Sequence, residues 1–522
     1  MQDADKWYQR VQDWDAAFKR ETPWLQEVLD GYRNRFAPGL LTVNLLFSYG
    51  RSLVPQLYFK NPVVAVNIRR KGFEDVAKTI RDCDDALIEA TRLKEALKRM
   101  ILSAHLTGRG VIKVGYNTEP APESWPGMDR NFPGMTPTMP VWKMREILGP
   151  DRPWVLDFDV QDFAWDSDMK RLRDSGWFAM RFRKKVYEIQ DDPVLGDIDH
   201  SDDEEEEIEY WEVWDKFSGK FRTLHEAEWC GPEHDINYWP FKILDFNDCL
   251  DSAYGISDAH LMLAQQREIN ETKTQIAEHR RVSLLKLLAK RNAIQPADKA
   301  RLEKGIVGAL IEIDADPQTA VMPFQPQIPV NLYTDANTTK EDIRDVLGFT
   351  RNQLGEFDSR RRTAMEAQIV QQSLQLRLDE RRDMVADCMR EIVVTKNDMI
   401  FDHWDVRKVE QWAGQADGWE KVPQVRATYV VSIVPDSTLP LSRTLQKQEA
   451  QALFGSLRQD PLIDPIWLRK YYLGQFDGID PSQAISQQAQ ARVQQAQAGP
   501  SGGQAMPPGF PVAQPAGNGN PA

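Results

Sequence analysis

With 522 residues, 41% of them hydrophobic, the chain can bury a substantial core and has room for two to four domains. Its formal net charge of −14 excludes a molecule built as a whole to clamp nucleic acid, so any contact with a phosphate backbone must be local or weak. Four scattered cysteines (Cys83, Cys230, Cys249, Cys388) without C-x-x-C spacing read as buried free thiols in reducing surroundings. The N-terminus has no apolar signal core, and no run of about 18 apolar residues occurs, so a cytosolic or cytosol-assembled chain with no membrane span is expected.

Trp7, Trp14, Phe18, Trp24 and Val28 recur at near-helical spacing, so residues 1–35 read as one or two amphipathic helices. Residues 44–57 continue as helix, with breaks enforced by Pro55 and Pro62 and an extended segment beyond. Ile80, Ala86, Leu87, Leu93, Ala96, Leu97, Ile101 and Leu102 give residues 77–106 a broad apolar face. That helix stops at Thr107-Gly108-Arg109-Gly110, a glycine helix end, and a strand follows over 111–116. Prolines make 119–139 an exposed loop. Strand-like runs come next at 154–158, 177–182, 208–217, 221–224 and 241–245, with a hairpin turn at Phe217-Ser218-Gly219-Lys220. The acidic run 202–207 reads as a solvated loop.

Residues 254–291 form a long polar helical stretch, without proline and with its one glycine, Gly255, at the start. Between Ala264 and Arg281 the main apolar residues are Ile269, Ile276 and Ala277. A helix of roughly 35 residues is about 50 Å long. So narrow a stripe cannot be buried in an ordinary core, and the helix calls for neighbours that accept a polar surface, such as copies of itself. Residues 292–333 turn β-like, a small projecting module with an apolar run at 307–313 and then Pro317, Pro323, Pro326 and Pro329. Residues 338–347 return to helix, 348–362 make a loop with clustered arginines, and 363–404 make a second very long helix, roughly 60 Å if straight. A strand at 428–434 and helices at 442–457 and 464–472 follow. From about residue 487 the chain is Gln/Ala/Gly/Pro-rich and is expected to be disordered.

Motifs for chemistry are sparse. Asp157, Asp159, Asp162 and Asp166 could hold two Mg²⁺ ions for phosphodiester cleavage, but Asp157 and Asp159 alternate with Leu156 and Phe158 as the solvent face of a strand does. His225, Cys230 and His234 fit no zinc spacing. Gly108-x-Gly110 lacks the third glycine of a dinucleotide fingerprint, and neither G-x-x-x-x-G-K-[ST] nor G-x-S-x-G occurs. The expectation is a non-enzyme without metal or other cofactor. Charge is more informative. From 280 to 304 eight basic residues (Arg280, Arg281, Lys286, Lys290, Arg291, Lys299, Arg301, Lys304) face only Asp298 and Glu303. A second cluster is Arg351, Arg360, Arg361 and Arg362. Basic side chains near phosphates give sequence-independent, salt-sensitive attraction, and an acidic body with restricted basic patches lets a duplex slide without sticking.

The order of parts resembles the portal protein, or head–tail connector, of tailed bacteriophages. Six pieces carry the resemblance: LVPQLYFKNP after N-terminal helices, LTGRGVIKVGY at a helix-to-strand junction, AYGISDAHLMLAQQREIN opening a long helix, GALIEID in a β-insert, DIRDVLGFT closing a short helix, and TAMEAQIVQQSLQLRLDE opening the second long helix. It covers the chain to about residue 485. The family implies an α+β, predominantly helical subunit of a twelve-membered ring around a double-stranded DNA channel. Residues 1–251 and 363–437 would be the wing, 252–285 and 336–348 the stem helices, 286–335 the clip, 349–362 the tunnel loop and 438–486 the crown, with 487–522 a disordered tail.

The resemblance further implies a virion protein at one capsid vertex, assembled in the host cytoplasm, that takes part in genome packaging and ejection. Its partners would be non-specific duplex DNA, the terminase large subunit, head-completion, adaptor or tail proteins, and the major capsid and scaffold proteins. In that frame Arg351, Arg360, Arg361 and Arg362 face the channel at the tunnel loop. Lys286, Lys290, Arg291, Lys299, Arg301 and Lys304 face the motor or adaptor, and Ile269, Ile276 and Ala277 pack subunits in the stem. The alternatives are a metal-dependent nuclease using Asp157, Asp159 and Asp162, and a helical scaffold or adaptor without a channel.

Overall fold

The computed structural model describes residues 3–59, 61–117, 152–189, 205–282, 286–289, 294–304, 321–324, 331–348, 364–433, 443–458, 463 and 465–474. They form a mixed α+β protein in two compact units, Met1–Leu439 and Pro440–Ala522. In chain order the first unit contains helices α1 (Ala4–Glu21), α2 (Leu25–Tyr32) and α3 (Leu45–Leu57), strand β1 (Val64–Ile68), and helices α4 (Glu74–Ala90) and α5 (Leu93–Thr107). Strands β2 (Gly110–Asn117), β3 (Arg152–Phe158), β4 (Phe163–Trp165) and β5 (Trp177–Lys185) follow, then the single turn α6 (Val186–Ile189). Next are β6 (Glu207–Asp215), β7 (Lys220–His225), β8 (Glu228–Asp235) and β9 (Phe241–Leu244). Then come α7 (Asp258–Leu261), α8 (Leu263–Val282), β10 (Lys286–Ala289), α9 (Pro296–Glu303), β11 (Val321–Phe324) and α10 (Asn331–Leu347). The unit closes with α11 (Ala364–His403), α12 (Val406–Ala413), α13 (Val422–Val425) and β12 (Tyr429–Ile433).

Two cores hold this unit together. In the first, Met389, Ile392, Val393 and Ile400 of α11 meet Ile80 and Leu87 of α4 and Leu97 and Ile101 of α5, all fully buried or nearly so. The second is aromatic. Trp7, Val11, Trp14 and Phe18 of α1 fall at i, i+4, i+7 and i+11, one helical face, and they pack against Phe163, Trp165 and Trp211 of the five-stranded antiparallel sheet β4-β5-β6-β7-β8. Trp14 sits edge-on to both Trp165 and Trp211, the arrangement the ring quadrupoles favour. A three-stranded sheet, β3-β2-β9, lies under α5, and β1 pairs antiparallel with β12, so that Val64 and Ile433, 369 residues apart by number, are adjacent in space. In the second unit, α14 (Arg443–Leu457) and α15 (Pro465–Gly474) pack through Ala450, Leu468 and the tilted rings of Phe454 and Tyr472.

Several elements differ from expectation. The helix read over 77–106 is broken in two. Thr91 returns its hydroxyl to the Leu87 carbonyl at 2.6 Å, and Arg92 takes φ +51°, the left-handed region. Nothing local demands a break there, because neither Gly nor Pro is present. Pro55 does not end α3 but lies inside its last turn, and the helix runs two residues further before Tyr58 extends. The polar helix starts later than residue 254, at Asp258, because Ser257 caps it, and α8 ends at Val282. The stretch 292–333 contains the short helix α9 beside β11, while the run 307–313 lies outside the described residues. By contrast α11 begins and ends within a residue of the expected 363–404.

Candidate functional site

The feature that organises the first unit is a helical hairpin, α8 and the returning α10, closed at its far end by the antiparallel pair β10–β11. Its base is a buried polar anchor where four chain segments converge. Asp258, the first residue of α7, is 2% exposed. Arg381 of α11 grips it with both terminal nitrogens, at 2.7 Å to Oδ2 and 3.0 Å to Oδ1. Asn247 donates to Oδ1 at 2.9 Å, and His105 of α5 approaches Oδ2 with Nδ1 at 3.0 Å. A carboxylate only accepts, so Nδ1 carries the proton in this contact, and the fully buried Nε2 is left without a partner among the described residues. Burial opposes charge on Asp258, but the bonds and charges of His105 and Arg381 outweigh it and hold the carboxyl well below the ordinary carboxylate range.

Backbone geometry tightens the same junction. Gly108 ends α5 at φ +84°, and a Cβ there would stand 2.5 Å from the Gly255 carbonyl oxygen; a Cβ on Gly255 would stand 2.4 Å from that of Gly108. Only two glycines allow the chains to pass so closely. Ser257 fastens the crossing by donating to the Leu106 carbonyl at 2.7 Å while accepting from the His260 N–H to cap α7. Beside it Arg109 is bidentate to Asp245 and lies over the Trp165 ring. The anchor therefore ties α5, the strand end after β9, the hairpin base and α11 into one node.

The polar surface of α8 has a use within the chain. Gln266, Asn270 and Thr274, at i, i+4 and i+8, bind the backbone of residues 41–45. The N–H groups of Leu41, Val43 and Leu45 donate to Thr274 Oγ1 (2.9 Å), Asn270 Oδ1 (3.0 Å) and Gln266 Oε1 (2.9 Å), and Gln266 Nε2 donates back to the Val43 carbonyl (2.8 Å). Two residues of extended chain advance about 6.6 Å and one i,i+4 helical step about 6 Å, so alternate N–H groups stay in step with one stripe of side chains. Gln266 and Asn270 are buried, and satisfied by these bonds. This stripe of the polar helix is thus satisfied within the chain, by the segment that leads into α3. Ile269 and Ile276 are likewise covered within the single chain, at 0% and 6% exposure, on the helix along which α10 returns. Ala277, the third residue expected to pack subunits in the stem, is half-buried.

The described basic candidates lie at the end of α8 and in the segment that follows it in the chain. His279, Arg280 and Arg281 form the last turn of α8, the end where cations complement the helix dipole. Lys286 opens β10 opposite Phe324. Lys299, Arg301 and Lys304 are exposed on or just after α9, with Arg301 paired to Asp298 at 3.0 Å. Lys290, Arg291, Arg351, Arg360, Arg361 and Arg362 lie outside the described residues.

The acidic cluster does not converge. Asp157 pairs with Arg99 at 2.8 Å, Asp159 caps the turn at Gln161, and Asp162 accepts from Arg181 at 2.8 Å. His225, Cys230 and His234 also diverge: His225 meets the Glu209 carbonyl, Cys230 faces the carbonyl of Glu228, and His234 stacks on Phe221. Among the described residues no group of three or more His, Cys, Asp or Glu side chains is arranged to hold a metal ion, and no helix is long and apolar enough to cross a membrane.

Sequence reasoning missed the anchor. Asp258, His105, Asn247 and Arg381 are far apart in the chain, and the signals available were the glycines at 108 and 255 and the Asn/Gln/Thr repeat of α8. No protein-family model matches the chain, and no curated protein matches it.

Proposed function

We propose that the chain is a portal-type subunit, one of a ring of about twelve that conducts double-stranded DNA through a capsid vertex. It docks a terminase motor during packaging and head-completion or tail proteins afterwards, acting as a conduit rather than a catalyst. The observation that carries this reading is the hairpin: two long helices, α8 and α10, rooted by a buried ionic node in the first unit and followed at the far end by a small β pair and exposed cations. In this reading the node keeps the wall helix at a fixed angle to α11, and the far-end cations, Lys286, Lys299, Arg301 and Lys304, meet DNA or motor.

Negative-stain imaging and native mass measurement of the purified full chain test it. A closed ring near twelve copies is expected; a monomer or dimer at micromolar concentration overturns it.

A further inference from the structure

A second polar cluster is buried where α4, α11 and β12 meet. Asp84 of α4 and Lys396 and Asn397 of α11 are all 0% exposed. Asp84 and Lys396 are opposite in charge, yet no carboxylate lies within 4 Å of Lys396 Nζ among the described residues. An ammonium can donate three hydrogen bonds, and this one donates a single long one, to the Thr91 hydroxyl at 3.4 Å. Asp84 accepts one bond, from Asn397 Nδ2 to Oδ2 at 3.3 Å. Asp84 Oδ1, Asn397 Oδ1 and the Tyr429 hydroxyl are buried without a partner among the described residues. The contrast is with Asp258, also buried, which Arg381, Asn247 and His105 all bind.

Two charges taken from water and not brought into contact oppose folding, because desolvation is not offset by close attraction. Burial pushes the Asp84 carboxyl up from its ordinary value; Lys396 and Asn397 oppose the rise, and Asp85 adds to it. Burial pulls the Lys396 ammonium down, against the attraction of Asp84 and with repulsion from Arg152 of β3. Tyr429 faces the cluster from β12, its hydroxyl pushed up by burial and by the charges of Asp398 and Asp84. Asp398 is itself paired with Arg426 at 3.5 Å.

The strand over this cluster is lightly held. Strand β12 pairs with β1 alone, and two five-residue strands make a marginal sheet in water. Val431 and Ile433 fix one end of β12 in the apolar core, while Tyr429, at the other end opposite Ile68, covers the polar one. We infer that the cluster is a proton-controlled latch: the Tyr429 end of β12 lifts most readily when Asp84 and Lys396 are both charged, and neutralising either side chain closes it. Lifting brings water to both charges. As pH rises above the ordinary carboxylate range, the lifted form has already lost the Asp84 proton while the closed form keeps it, so opening becomes easier toward neutrality. As pH rises further toward the ordinary lysine range, the closed form loses the Lys396 proton first, and opening becomes harder again. The latch is therefore loosest near neutral pH. This inference is independent of the ring.

Hydrogen exchange of the full chain, corrected for the intrinsic rate and read at about pH 5.5 and about pH 7.5, tests it. The opening constant over residues 429–431 should be roughly tenfold larger at the higher pH, one unit of displaced titration. Residues 266–274 of α8, remote from the cluster in the chain, should keep one opening constant. The pair Asp84→Asn and Lys396→Met removes both charges at nearly constant shape. It should flatten the pH dependence and lower opening at the higher pH by roughly the same factor. Should that variant fail to fold by circular dichroism, the wild-type profile decides alone. Opening over 429–431 that is equal at the two pH values, that rises equally in α8, or that keeps its pH dependence in a folded double variant overturns the latch.

Discussion

The energetics of the first unit are decided at Asp258. Its carboxylate is charged, buried and answered by a bidentate guanidinium, an amide and an imidazole. Asp258→Asn would leave Arg381 buried beside a neutral group, and breaking a buried pair in this way costs about 3–5 kcal/mol. Urea unfolding at pH 7, with both proteins at equal protomer concentration, should show a loss of that size. The pH dependence has a definite sign. The folded carboxyl is held below its ordinary range, so the unfolded chain binds the proton first as pH falls. The stabilisation is complete above about pH 5 and is lost as pH falls through the ordinary carboxylate range toward the depressed folded value. The gap between wild type and Asp258→Asn should therefore narrow below about pH 4; a gap constant from pH 7 to 3 would show that the charge contributes nothing. Gly108→Ala, whose Cβ would stand 2.5 Å from a backbone oxygen, should unfold at lower urea than a Gly39→Ala control, which shares the positive φ (+91°) but whose Cβ meets nothing.

Elements explain what could be read in advance. The limits of α11 were legible because 40 residues run without glycine or proline around a repeating apolar stripe, and no tertiary contact interrupts them. The break at Arg92 was not, because its cause is tertiary: two helices must each reach the α11 core. Strand β8 was hidden by Gly231 and Pro232, which argue against a strand interior but suit an edge. On α8 the sequence displayed polarity without its purpose, since Gln266, Asn270 and Thr274 find their partners more than 220 residues away. That pairing makes a prediction at the same scale. Gln266→Leu removes the acceptor for the Leu45 N–H and the donor for the Val43 carbonyl. Each lost bond is worth about 1–3 kcal/mol when a group is left buried, or roughly 10–100-fold in local opening. Hydrogen exchange should accelerate by that factor over residues 41–46 while α11 stays protected. If exchange there is unchanged, the ladder is incidental.

For the whole molecule the governing quantity is charge placed against a background of −14. If the chain is the channel subunit proposed above, it must attract a duplex weakly enough to let it move, and counterion release gives that attraction a measurable signature. The slope of log K against log salt is about −0.9 per phosphate contacted. Lys299, Arg301 and Lys304 are all exposed, yet they are not equivalent, because Arg301 already has the Asp298 carboxylate at 3.0 Å while Lys299 and Lys304 have no carboxylate within 4 Å among the described residues. If this end of the hairpin meets DNA, Lys299→Ala and Lys304→Ala should each make the slope shallower by about 0.9 for every copy that touches a phosphate, whereas Arg301→Ala should change it less. Duplex binding to the purified protein, titrated from 50 to 200 mM salt, reads this directly. Three equal changes would mean that the Arg301–Asp298 pair opens on binding. No change in any of the three would place these cations against a protein partner, and the phosphate contacts would then have to come from elsewhere in the chain.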